Sequence, residues 1–237
     1  VVWTDNGIDT TVVITGLSLI DGSTYFGSVR AYNSNGYASQ SFSGDGITID
    51  IVAPVAGTII EGDTEDMDYT GFAEGLTMTW TGFGDENSGL SFYEYALGSA
   101  AGDADVVDWT ITSDTSVTVE TQLTDGSTYF DSVRAYDFAG NESAVATGDG
   151  VIADLSPPQT GIVVDGLEED QDFTASVTTV DASWSGFSDA VSGILFYEYA
   201  FGTSENPTAL VDYTATGLDD NISITGLSLV HGGAYVF

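Results

Sequence analysis

Along residues 76–82 apolar and polar positions alternate: Leu76, Met78 and Trp80 are separated by Thr77, Thr79 and Thr81. A period of two sends the apolar set to one face of a strand and the threonines to the other. Tyr93 and Tyr95 likewise flank Glu94, which should point the opposite way. Elsewhere between 54 and 156, short runs rich in Val, Thr, Tyr, Phe and Trp are separated by Gly, Asp and Ser clusters. That is the signature of strands and turns, and no helical period competes with it. The pattern predicts seven strands, at 55–61, 76–82, 90–98, 105–112, 116–123, 128–137 and 143–154. Two antiparallel sheets packed face to face give each strand one dry and one wet side. The predicted class is all-β.

The same pattern is written more than once. Leu19-Ile-Asp-Gly-Ser-Thr-Tyr25-Phe-Gly-Ser-Val29-Arg-Ala-Tyr32 returns as Leu123-Thr-Asp-Gly-Ser-Thr-Tyr129-Phe-Asp-Ser-Val133-Arg-Ala-Tyr136. It starts a third time as Leu229-Val-His-Gly-Gly-Ala-Tyr235. Trp80-Thr-Gly-Phe83 recurs as Trp184-Ser-Gly-Phe187, and Phe92-Tyr-Glu-Tyr-Ala96 as Phe196-Tyr-Glu-Tyr-Ala200. The spacing is 104 residues, or 106 at the last Tyr. A period that long is a whole domain, because solenoid repeats run only about 20–50 residues. The frame places a C-terminal half repeat at 1–53, a complete repeat at 54–156 and an N-terminal three-quarters at 157–237. A half repeat cannot bury its core faces alone. The sequence therefore reads as a window on a longer tandem array.

Composition narrows the partners. There are 37 Asp plus Glu against two Arg, a formal net charge of −35. Such acidity excludes binding nucleic acid by phosphate neutralisation and argues against docking on anionic membranes. No transmembrane run, signal peptide or lipidation motif appears. A hydrophobic share of 42% is enough to fill cores, so the chain is not disordered by composition. With no Cys there are no disulfides, no thiol catalysis and no thiolate zinc sites. Two Asn-x-Ser sequons, at Asn141 and Asn221, matter only in a eukaryotic secretory pathway. Two accounts of the carboxylates are compatible: a solvated surface suited to salty water, and calcium binding through hard oxygen ligands.

Leu123-x-x-Gly126-x-x-Tyr129-x-x-x-Val133-x-Ala135 resembles the signature of fibronectin type III domains. In that family the Tyr makes the tyrosine corner at the turn between the fifth and sixth strands. Trp80 matches the family's second-strand Trp, and Tyr95 sits where a third-strand Tyr is expected. Asp137-x-Ala-Gly-Asn141-x-Ser143 and Asp154-x-Ser-Pro-Pro158 are similar to phrases in acidic repeats of large bacterial surface proteins. The resemblance implies a tandem array of seven-stranded sandwiches. Asp131 departs from it, having the inward parity of Tyr129 and Val133, where the first repeat has Gly27. A bulge, or a place near the sheet rim, would accommodate it. Arg30 and Arg134 occupy equivalent outward positions, with Glu94 the expected cross-strand partner of Arg134.

Three acidic clusters recur. One follows the first strand, with Asp63, Asp66 and Asp68 echoed by Asp170 and Asp172. A second follows the second strand, with Asp85 echoed by Asp189. The third ends the last strand, with Asp50 echoed by Asp154. Sandwich topology brings the last strand's end to the next repeat's second turn, so Asp50 should approach Asp85, and Asp154 together with the 61–68 loop should approach Asp189. Crowded carboxylates repel, and a calcium ion would turn a repelling hinge into a stiff one. These nine residues are the candidate calcium ligands. Asp is also an ordinary turn residue, and neither an EF-hand nor a nonapeptide calcium repeat is present. Asp137-Phe-Ala-Gly-Asn141 reads as a hairpin turn, with Gly140 or Asn141 at positive φ.

Catalysis has little support. His231 stands alone, at the turn position held by Asp21 and Asp125, and no triad, metalloprotease or phosphate-loop motif exists. The expectation is a non-enzymatic structural or adhesive segment of an extracellular or cell-surface protein. It would act as a stalk, or as a filament or sheath with neighbouring repeats and copies of itself as partners. Two alternatives stand beside it: a carbohydrate- or cell-surface-binding module, which needs exposed aromatics clustered at one loop end, and an accessory repeat region of a secreted hydrolase.

Overall fold

The computed structural model describes residues 2–237. Every regular element among them is a β-strand. In chain order these are β1 (Thr24–Tyr25), β2 (Ser28–Val29), β3 (Phe42–Ser43), β4 (Ile47–Thr48), β5 (Thr58–Glu61), β6 (Tyr69–Thr70), β7 (Gly75–Thr81), β8 (Leu90–Gly98) and β9 (Val107–Thr112). They continue with β10 (Ser116–Glu120), β11 (Thr128–Asp137), β12 (Ala146–Thr147), β13 (Val151–Ala153), β14 (Ile162–Asp165), β15 (Thr179–Ser185), β16 (Tyr197–Thr203), β17 (Asn206–Gly217) and β18 (Asn221–Thr225). No helix among them is long and apolar enough to cross a membrane.

The chain forms two compact units. One comprises Val1–Asp66, Thr77–Val119 and Phe130–Gly150; the other comprises Met67–Leu76, Glu120–Tyr129 and Val151–Phe237. Both draw strands from residues 54–156. In the first unit, β7 lies between β10 and β5, pairing antiparallel with β5 from Thr58↔Thr81 to Glu61↔Met78. A second sheet sets β8 between β9 and β11, with β12 on the far side of β11, all antiparallel. The predicted alternation in β7 is realised: Met78 and Trp80 are buried, while Thr77 and Thr79 turn to β10, bonding Thr118 and Ser116 at 2.9 and 3.0 Å. Trp80 meets Tyr93 of β8 edge-on at 5.6 Å, and Phe83 meets it at 5.5 Å, so the two sheets face one another across an aromatic core.

The other side of β8 and β11 is a polar ladder. Arg134 pairs opposite Glu94 and contacts it at 2.6 Å, with Glu142 at 2.8 Å. Its guanidinium lies 4.3 Å over Trp109, and Phe92 stacks on Tyr136 at 4.7 Å. Arg30 repeats the device, 4.2 Å over Trp3. Residues 2–48 are otherwise exposed almost throughout, including Val13, Ile14, Phe26 and Val29.

In the second unit, β13 joins Thr128 and Tyr129 of β11 on one side and β6, in parallel, on the other. β15 lies between β14 and β18, and β16 pairs with β17. Trp184 meets Tyr197 edge-on at 5.8 Å, as does Phe187, repeating the Trp80–Tyr93–Phe83 arrangement.

A local latch appears three times. The Tyr129 hydroxyl accepts the Thr124 N–H at 2.8 Å, Tyr25 accepts that of Ile20 at 3.1 Å, and Tyr235 that of Val230 at 3.0 Å. The glycine between each pair has positive φ, +73° at Gly126, which is why no side chain stands there.

Two departures from the sequence reading have physical causes. The strand expected at 143–154 is broken into β12 and β13. A Cβ on Gly148 would run into the Glu61 carboxylate, and one on Gly150 would meet the Phe130 ring at 2.6 Å, so the chain passes there as glycine. Asp131 is not turned outward by a bulge. The register is regular through Asp131↔Leu97, one pair from the end of that ladder, and Asp131 is fully buried.

Candidate functional site

Three of the acidic residues converge in the first unit. Carboxylate oxygens of Asp50, Asp85 and Asp137 lie within 4.8 Å of one another. Each is placed by a short polar loop that needs its carboxylate. Asp85 Oδ1 accepts the N–H groups of Asn87, Ser88 and Gly89 at 3.1, 2.8 and 2.8 Å, closing the turn between β7 and β8. Asp137 Oδ1 accepts those of Ala139 and Asn141, both at 2.8 Å, closing the hairpin after β11. Gly140 takes the positive φ of that hairpin, +90°. Asp50 accepts from Val52 N–H at 3.1 Å and Ser88 N–H at 3.0 Å.

The segment around Asp50 is held by both loops. Asn87 Nδ2 donates to the Ile49 carbonyl at 3.1 Å. Asn141 Nδ2 donates to Asp50 O at 3.2 Å, to Val52 O at 3.4 Å and to Asp137 Oδ2 at 2.7 Å. Asp21 adds a bond from Ile51 N–H at 3.0 Å. Hydrogen bonding to Ser88 holds the Asp50 carboxyl below its ordinary range, against an opposing push from burial. Three carboxylates with spare lone pairs and nearby carbonyls make a hard-oxygen donor set of the kind calcium takes.

In the second unit Asp189 repeats the role of Asp85. Its Oδ1 accepts Val191, Ser192 and Gly193 N–H at 2.9, 2.9 and 3.1 Å, and these bonds, led by that of Val191, pull its carboxyl below the ordinary range. Asp154 lies beside it, with Oδ1 buried and unpartnered. Asp125 there accepts Leu155 N–H at 2.7 Å and the Ser156 hydroxyl at 2.9 Å. The remaining candidates are dispersed. Asp66 sits with Glu61 and Asp149, again within 4.8 Å. Asp63 and Asp68 are exposed. Asp170 accepts the Asp165 N–H at 3.2 Å, and Asp172 is exposed.

Sequence reasoning placed Asp50 beside Asp85 through strand order but read Asp137 only as a turn residue. Its participation depends on which turns share one end of the sheets, a non-local fact. A cleft of about 720 Å³ in the second unit is lined by Trp184, Phe187, Tyr197, Tyr213 and Phe237. Trp184, Phe187 and Tyr197 are the counterparts of the core residues Trp80, Phe83 and Tyr93, so this lining has the character of a core rather than of a loop-end platform.

No family model matches this chain. It is 28% identical over 220 residues to Exoglucanase B of Cellulomonas fimi, an alignment covering 90% of this chain and 19% of that protein. The chain thus spans about a fifth of the length of this relative. Among solved structures it is similar to an alpha-L-rhamnosidase from Dictyoglumus thermophilum, at 14% identity and TM-score 0.36, over 46% of this chain and 15% of that one.

Proposed function

We propose that this chain is a non-catalytic accessory repeat region of a larger, extracellular, carbohydrate-active protein, in which it spaces other domains. The observation that carries this reading is the similarity to Exoglucanase B, which runs through 90% of this chain yet takes up only 19% of that protein. A repeat that accompanies a catalytic domain needs a stable surface and a defined length, not a reaction centre. We further infer that the repeats are sandwiches of the fibronectin type III kind. The sheets β10-β7-β5 and β9-β8-β11-β12 and the three tyrosine latches support this finer assignment.

The test is to incubate the purified chain with soluble and insoluble β-glucans. The reading expects no released sugar and no retention on the insoluble polymer. Turnover would refute the non-catalytic role. Saturable retention, released by soluble oligosaccharide, would replace the spacer with a binding module.

A second reading, compatible with the first, is a stalk whose joints calcium stiffens. What favours it is the meeting of Asp50 from the first repeat with Asp85 and Asp137 from the second. Small-angle scattering with calcium and then with chelator tests it. Identical profiles would remove calcium from the joint.

A further inference from the structure

A second group of carboxylates lies inside the first unit, away from the residues that hold Asp50. Glu61 ends β5 and is 1% exposed. Its Oε1 accepts the Gly150 N–H at 3.0 Å, but Oε2 is buried without any partner. Asp131 is 0% exposed, and neither of its oxygens has a partner. Asp66 reaches back to accept the Glu61 N–H at 3.2 Å. Asp149 approaches from the outside, and oxygens of Glu61, Asp66 and Asp149 come within 4.8 Å of one another.

No positive side chain answers these four acids. The chain has two Arg and no Lys. Arg134 is engaged by Glu94 and Glu142, and Arg30 stacks on Trp3 and Tyr32. An uncompensated buried carboxylate is strongly destabilising, and grouping like charges adds to that. The backbone is nonetheless shaped around the group. Gly148 leaves the space that the Glu61 carboxylate fills, and its N–H bonds the Asp131 carbonyl at 3.0 Å. The third repeat carries the same turn in Asp165 and Asp170, with the same backbone-to-carboxylate bond.

We infer that Glu61, Asp66 and Asp149 bind a calcium-class divalent cation next to the buried Asp131 side chain. The ion would tie the turn after β5 to the Gly148–Gly150 crossing and to β11. It would be an internal ion of the fold, separate from the Asp50 group and independent of the spacer reading. Glu61 Oε2, buried and without a partner, is where a hard cation would find a donor that no protein group uses.

The purified chain, stripped with chelator, is titrated with calcium by calorimetry and by thermal melting. Calcium should bind and raise the melting temperature. Glu61→Gln and, separately, the exposed Asp149→Asn should each lose one site or weaken it at least tenfold. Asp85→Asn should leave that site intact. Circular dichroism in chelator establishes that each variant is folded, and Asp149→Asn serves if Glu61→Gln is not. Calcium stoichiometry and affinity equal to wild type in both variants would overturn the assignment, as would no calcium binding by the wild-type chain.

Discussion

Replacing Asp131 by Asn removes an ionisable group from the interior while keeping its shape, and the consequence is a changed dependence of stability on pH. Burial, then the charges of Glu61 and Asp66, push the Asp131 carboxyl from 3.8 up to about 8. The folded protein therefore keeps this proton over a range in which the unfolded chain has released it. Such a group stabilises fully below its unfolded pKa, and that stability is lost as pH rises through the folded value. One pKa unit corresponds to about 1.4 kcal/mol, so between about pH 5 and about pH 8 this one group removes roughly 4 kcal/mol. Glu61, also raised by burial, acts in the same direction. The assay is urea unfolding by tryptophan fluorescence at intervals across that range, with chelator present. Wild type should lose stability steadily toward pH 8. Asp131→Asn should show a shallower profile and be the more stable protein at pH 8. A variant with the wild-type slope would refute the reasoning, because Asp131 would then titrate alike in folded and unfolded chains.

Three further outcomes follow from the geometry. Trp80→Ala should lower stability by about 3–5 kcal/mol in urea unfolding through the cavity left beside Tyr93, and Trp80→Phe by about 1–2 kcal/mol. Tyr129→Phe should cost about 1 kcal/mol in the same assay, because the Thr124 N–H loses its acceptor. At the acid end the sign reverses: Asp50 and Asp189 have depressed values, so their stability is present above the ordinary carboxyl range and is lost as pH falls through the folded values. Asp50→Asn and Asp189→Asn should flatten the acid limb of a circular-dichroism titration below about pH 4.

The long strands were legible because each carries a period of two over a buried face. Leu76-Met78-Trp80 and the run from Tyr129 to Tyr136 admit one register only, and a slip of one residue would put threonines in the core. The pairing of Glu94 with Arg134 followed from the same parity. β6 was not legible. Two residues, Tyr69 and Thr70, carry no period, and a parallel edge pairing leaves no turn signal. The break between β12 and β13 was hidden because its cause lies in Glu61 and Phe130, far off in sequence. The same holds for the sites. Strand order was enough to bring Asp50 toward Asp85. Recruiting Asp137 needed the position of a second turn, and the Glu61 group needed a strand crossing. Asp66 was legible as a carboxylate of an acidic turn and Asp131 as an acid at inward parity, but not that the turn meets the glycine crossing.

The tyrosine latches bear on how similar segments of one chain avoid exchanging strands. A latch such as Tyr129 to Thr124 closes a ring of five residues, whereas its counterpart in the neighbouring repeat lies about a hundred residues away. Loop closure grows as the logarithm of length, which favours the local partner by about 2–3 kcal/mol before any packing forms. Each latch therefore favours its own neighbouring turn over the matching turn elsewhere in the chain. Where one chain writes the same segment more than once, the hydroxyl bears on correct pairing as well as on stability.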